Sequence, residues 1–179
     1  MRRDKTAISL ALAGAALLGG STALEANASA PAGGAIHLFS HPTTSGTSGT
    51  ILIAGAIGDH GRYLASDRNG KPDPQGSYLK IILKKGTFEI NATSLTDKPQ
   101  AHDTATCSAI FSGTAATPVL NGTGLYTGIK GTLHTSELHA LLASRYTSGK
   151  HKGQCKLGGN ARPIAEYDSL SATGSVSFG

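Results

Sequence analysis

Three short stretches gather residue types that do chemistry. In "GDHG", Asp59 sits beside His60, a carboxylate next to an imidazole, which is the minimum for general acid–base work. Neighbours on a strand point to opposite faces, so the two act together only in a turn. The plain reading is a polar hairpin turn; the functional one is a polar group at a pocket mouth, where Tyr126 is a third candidate. In "DRNGKPDPQG", Asp67, Asn69 and Asp73 have the spacing of the middle of a calcium loop, but the outer ligand positions are Ala65 and Gly76. A solvated turn is expected there, and no metal. In "SRYTSGKHKGQCK", Arg145, Lys150, His151 and Lys152 cluster around Cys155, a basic loop that is either simply solvated or presented to an anionic partner.

Other chemistries lack their residues. The seven histidines show no metal-ligand spacing, and His134 and His139 would lie on opposite faces of one strand. No Gly-x-Ser-x-Gly elbow is present, so a hydrolase nucleophile is not indicated. The glycine-rich stretch "NGTGLYTGIKGTLH" (121–134) has its third glycine one place late for a dinucleotide fingerprint, and no Gly-Lys-Ser/Thr follows Gly128, so it is not a phosphate loop. Beside the basic loop stands a lone Tyr146 rather than an aromatic ladder, which argues against nucleic acid. The residues call for no cofactor.

The N-terminus carries an address. "MRRDK" is a basic leader, "TAISLALAGAALL" an apolar segment, and "ALEANASA" supplies small residues at cleavage spacing. This is the layout of a secretory signal peptide, too short to span a bilayer, with cleavage expected after Ala28. Arg2-Arg3 is followed by "DKTAI", a poor fit to twin-arginine export. No later apolar run reaches the ~20 residues of a membrane helix. The remaining chain of roughly 150 residues suits one domain with a real core. Net charge is +5, and removal of Arg2, Arg3, Lys5, Asp4 and Glu25 leaves it mildly basic. In an oxidising compartment the two cysteines, Cys107 and Cys155, are expected to form a disulfide, with two free thiols as the alternative.

The elements that must position these residues are strands. Residues 29–48 are small and turn-rich and are expected to form a flexible or edge-strand lead-in, so the domain is placed at 49–179. In "SYLKIILKKGTFEINATSL", Leu79, Ile81 and Leu83 share one face, and after a "KKG" hairpin turn Phe88 and Ile90 share another. Beyond the "NG" turn at 121–122, Leu125, Ile129 and Leu133 share a face, with glycines where a curved strand needs them. Seven or eight strands separated by turns predict an all-β, single antiparallel barrel or sandwich. An α+β domain with helices near 136–146 and 160–168 is the alternative.

"GTGLYTGIKGTL" (122–133) resembles the G-T-G-x-[aromatic]-x-x-x-x-G segment of dirigent proteins and allene oxide cyclases, and "CSAIFSGTA" and "GSVSF" fall where strands of that fold are expected. The mature chain also resembles secreted bacterial proteins of this barrel type. The resemblance implies an eight-stranded antiparallel barrel. Dirigent proteins steer phenoxy-radical coupling, and allene oxide cyclases close a ring on a fatty-acid epoxide in an apolar cavity; no pocket residue of either maps onto this sequence. The expectation is a secreted barrel that binds a small apolar or amphipathic molecule in a lumen lined by Leu79, Ile81, Leu83, Phe88, Ile90, Leu125, Ile129 and Leu133. Asp59, His60 and Tyr126 are expected at its mouth, and outer strand faces are available for self-association. An isomerase using the same cavity, and a surface-interaction protein using the basic loop, are the alternatives, with the weight on binding rather than catalysis.

Overall fold

Period-two alternation runs through most of the chain and produces strands. The computed structural model describes residues 32–43, 47–156 and 163–179; segment 1–28, expected to be a signal peptide, lies outside them. Among the described residues nine strands are formed: β1 (Gly34–Pro42), β2 (Ser48–Gly55), β3 (Asp59–Ser66), β4 (Tyr78–Leu83), β5 (Thr87–Asn91), β6 (Lys98–Asp103), β7 (Ser108–Leu120), β8 (Ile129–Leu142) and β9 (Ala165–Phe178). Every pairing is antiparallel, β9 returns to β1, and β5 meets β7. Eight strands therefore close into a barrel, as expected. The ninth, β6, lies on the N-terminal part of β7. It is exposed along its whole length and carries Pro99 and a register shift between Pro99 and Ala101, features that keep a strand at an edge.

Two boundaries differ from expectation. Residues 34–42 are not a lead-in: β1 is hydrogen-bonded to β2 on one side and β9 on the other, and Ile36 and Leu38 are fully buried. Only two apolar side chains mark its inward face, because Ser40 and Pro42 complete it. The stretch 136–142 is strand, not helix. β8 pairs with β9 along its whole length and with β7 from Gly131 on, and its odd-numbered side chains point inward from Ile129 onward.

One half of the lumen is packed solid. Ile81, Leu83, Phe88, Ile90, Ile129 and Leu133 are all buried in a single cluster with Ile36, Leu38 and Ile53, and Leu79 packs at its margin. Leu125 does not join them: it is half-buried in a 3-10 turn, Gly124–Tyr126, that precedes β8. Left-handed backbone at Asn121 (φ 56°), Gly124 (φ 60°) and Gly128 (φ 76°) breaks the extended run here, a conformation that glycine and asparagine adopt at least cost. The Cys107–Cys155 disulfide is formed, with Cα atoms 5.4 Å apart. It ties the start of β7 to the loop after β8.

The turn is wound so tightly that a methyl on Gly122 would meet the Tyr126 carbonyl oxygen at 1.7 Å. Gly122→Ala is expected to destabilise the protein by at least about 2 kcal/mol. Gly58→Ala, whose methyl would meet nothing within 4 Å, should change stability by less than about 0.5 kcal/mol. Urea unfolding of the two variants provides the comparison.

Candidate functional site

The two ends of the barrel are built differently. At one end the 3-10 turn swings Tyr126 inward, where its ring meets Phe88 edge-on at 5.9 Å. Its hydroxyl donates to Asp59 Oδ2 at 2.6 Å. The Asp59 carboxylate also accepts from the Lys85 N–H at 3.0 Å and the His60 N–H at 2.8 Å. Burial pushes the Asp59 pKa up, but these hydrogen bonds outweigh it and hold the carboxyl below the usual range. Burial and the adjacent carboxylate push the Tyr126 hydroxyl up. Asp59 and Tyr126 are thus brought together, but as a plug rather than a pocket mouth. The His60 side chain points to the outer face and is exposed, as alternation on a strand requires.

At the other end the same strands open into a cavity of about 500 Å³. Asp59 begins β3, whereas Tyr63 and Ala65, further along it, line the cavity. The inward row of β8 changes character on the way, from Ile129 and Leu133 through Thr135 to Glu137 and His139. Thr135 marks the transition, its hydroxyl 2.6 Å from that of Thr117, which donates on to the Leu133 carbonyl. Leu79, Leu95 and Leu170 supply the apolar wall. Asp97, Glu137, Glu166, Asp168, His139 and Tyr63 supply the polar one.

Register creates the central polar pair. His139 on β8 stands opposite Asp168 on β9, and its Nδ1 hydrogen-bonds Asp168 Oδ1. A carboxylate accepts only, so the Nδ1–H donates and Nε2 is the ring nitrogen this pair leaves unengaged. Glu137, two residues before His139 and on the same face, has its pKa pushed up by burial and by Asp97 and Asp168, with His139 opposing. Burial, Asp168 and Glu137 likewise push the Tyr63 hydroxyl up. Among the described residues, no group of three or more side chains is arranged to hold a metal ion.

Of the eight expected lining residues, only Leu79 reaches this cavity. Arg145 of the basic loop is already engaged: its guanidinium donates to the carbonyls of Thr104, Ala105 and Gly153. Lys150, His151 and Lys152 are exposed. The polar wall was missed by motif reasoning, yet its signal is present: Glu137 and His139 continue the odd-numbered inward register of Ile129 and Leu133. Compared with known proteins, the chain matches no protein-family model, no curated protein and no solved structure.

If the plug is structural, Tyr126→Phe should cost about 1.5–3 kcal/mol, the worth of a hydrogen bond to a charged group. The sign with pH follows from a depressed carboxyl. Asp59 contributes stability above its unfolded pKa of about 3.9, and that stability is lost as pH falls through the lower folded value. The Tyr126→Phe variant should therefore lose less stability than the wild type as pH falls below about 4. Thermal unfolding across that range measures it; an unchanged acid profile would count against the plug.

Proposed function

We propose that the protein binds a small amphipathic molecule in the open-end cavity, its apolar part against Leu79, Leu95 and Leu170 and its polar part toward Glu137 and His139. The observation that carries this is the cavity itself: about 500 Å³, within the ~300–1,000 Å³ of small-molecule sites, with one apolar and one polar wall beside a core of buried side chains. An eight-stranded barrel holds one small ligand at most. The basic loop supports a binding surface less well, because Arg145 is consumed by backbone carbonyls. The eight-stranded antiparallel ring supports placing the chain in the dirigent and allene oxide cyclase-like superfamily. We read it as exported by its signal peptide; the disulfide fits an oxidising compartment.

The neutral fluorophore N-phenyl-1-naphthylamine tests the cavity. It should brighten on binding one molecule per chain, and Leu79→Trp, which fills the apolar wall, should abolish the signal while circular dichroism is unchanged. Equal binding to wild type and Leu79→Trp would remove the cavity from the reading.

A second reading, acid–base catalysis on the bound molecule, is favoured by one arrangement. His139 is oriented by Asp168, and burial with Asp97 and Asp168 holds the Glu137 carboxyl beside it above its usual range. Such a pair should remove an α-proton from an enolisable guest. Deuterium from solvent is expected to enter cyclohexanone faster with the protein than in buffer, and the excess should vanish in Glu137→Gln and in His139→Gln. Exchange at the buffer rate with saturating protein would end this reading.

A further inference from the structure

We infer that the molecule held in the cavity is a cation, a protonated or quaternary amine on an apolar body; this deepens the lumen-binding reading above and rests on it. Four carboxylates, Asp97, Glu137, Glu166 and Asp168, line one cavity. No lysine or arginine among the described residues joins them there. The only wall group able to carry a positive charge is His139, and it is engaged by Asp168. Among the described residues, the Glu137 carboxylate has no hydrogen-bond or ion-pair partner.

This runs against the chain as a whole, which has 16 Lys and Arg against 11 Asp and Glu. More than a third of the acidic residues of a basic protein therefore face one space of about 500 Å³. A recess lined by one sign of charge with apolar walls focuses its field inward and enriches the opposite ion. A fatty carboxylate would meet like charge there without a cationic partner, and burying it so is costly. A neutral alcohol would bind by its chain alone. An ammonium group gains attraction from several carboxylates while its alkyl part covers Leu79, Leu95 and Leu170.

Isothermal titration at pH 7.5 of the mature, disulfide-bonded chain with octyltrimethylammonium, 1-octanol and octanoate separates the cases, because the three share one chain length and differ in charge. The ammonium should bind one per chain, about tenfold or more tighter than octanol, with octanoate weakest. Raising salt to 0.5 M should reduce that preference. Glu137→Gln and, separately, Asp97→Asn should each shrink the ratio of ammonium to octanol affinity by about threefold or more. Octanol binding as tightly as the ammonium, or octanoate binding best, overturns the charge assignment and leaves lumen binding standing. Binding of none of the three overturns both. Calcium alone binding with loss in Glu137→Gln, and excluding the ammonium, would overturn it by giving the wall to a metal.

Discussion

The barrel closes on two residue pairs, Glu89 opposite Leu120 and Ile90 opposite Val119. Everything distinctive about the molecule follows from how short that seam is. β5 has five residues and β7 thirteen, so most of β7 has no closing partner in the ring. Side chains reinforce the seam below: Asn121 Nδ2 donates to Glu89 Oε2 at 2.7 Å, and Thr87 and Thr123 exchange backbone and hydroxyl hydrogen bonds. Above it the chain leaves β5, and Ser94 Oγ donates to the Ala116 carbonyl. The backbone then passes so near β7 that a methyl on Gly113 would meet the Thr96 carbonyl at 2.8 Å. This crossing segment brings Ala92, Thr93, Leu95 and Asp97 into the cavity wall. An incomplete ladder is thereby converted into a covered mouth.

The two ends then divide the work. The plugged end carries the apolar packing and the T-shaped Phe88–Tyr126 contact, and its buried carboxylate is provided with donors. The open end keeps its carboxylates where water or a guest can reach them. β8 runs through both, so one strand joins Ile129 and Leu133, which pack the core, to Glu137 and His139, which line the cavity. A single alternating row packs the core at one end and lines the cavity at the other.

What was legible in the sequence was whatever a local pattern encodes. Period two and turn residues are local, so Leu79, Ile81, Leu83, Phe88, Ile90, Ile129 and Leu133 could be assigned to one face each, and the only two cysteines could be paired. Leu125 was assigned to a strand because φ > 0 at Gly124 and Gly128 is not written in hydrophobicity. β1 reads as a lead-in because three of its five inward positions are Gly34, Ser40 and Pro42, which look like loop. The cavity wall escaped for a different reason. His139 and Asp168 are 29 positions apart and meet only through the β8–β9 register, which no single sequence displays. Inward polar residues also look like ordinary outward ones until their parity is compared with the core residues before them. Asp59 and Tyr126 were singled out together, but sequence alone could not tell which end of the barrel they occupy.

The contrast between Asp59 and Glu137 bears on where function resides. Both are carboxylates removed in part from water, and burial pushes both pKa values up. At Asp59 the fold supplies Tyr126 and two backbone N–H groups, and the charged form wins. At Glu137 it supplies Asp97 and Asp168, which add to the penalty and outweigh the opposing His139. A structure held only to stability would not gather like charges on one wall, since each raises the cost of ionising the others. Such an arrangement is the electrostatic pattern on which the proposed cavity site rests. The glycine-rich turn belongs to the other side of this division. By seating Tyr126 on Asp59 it settles the charge at the closed end, while the cavity carboxylates lie at the end that opens to solvent.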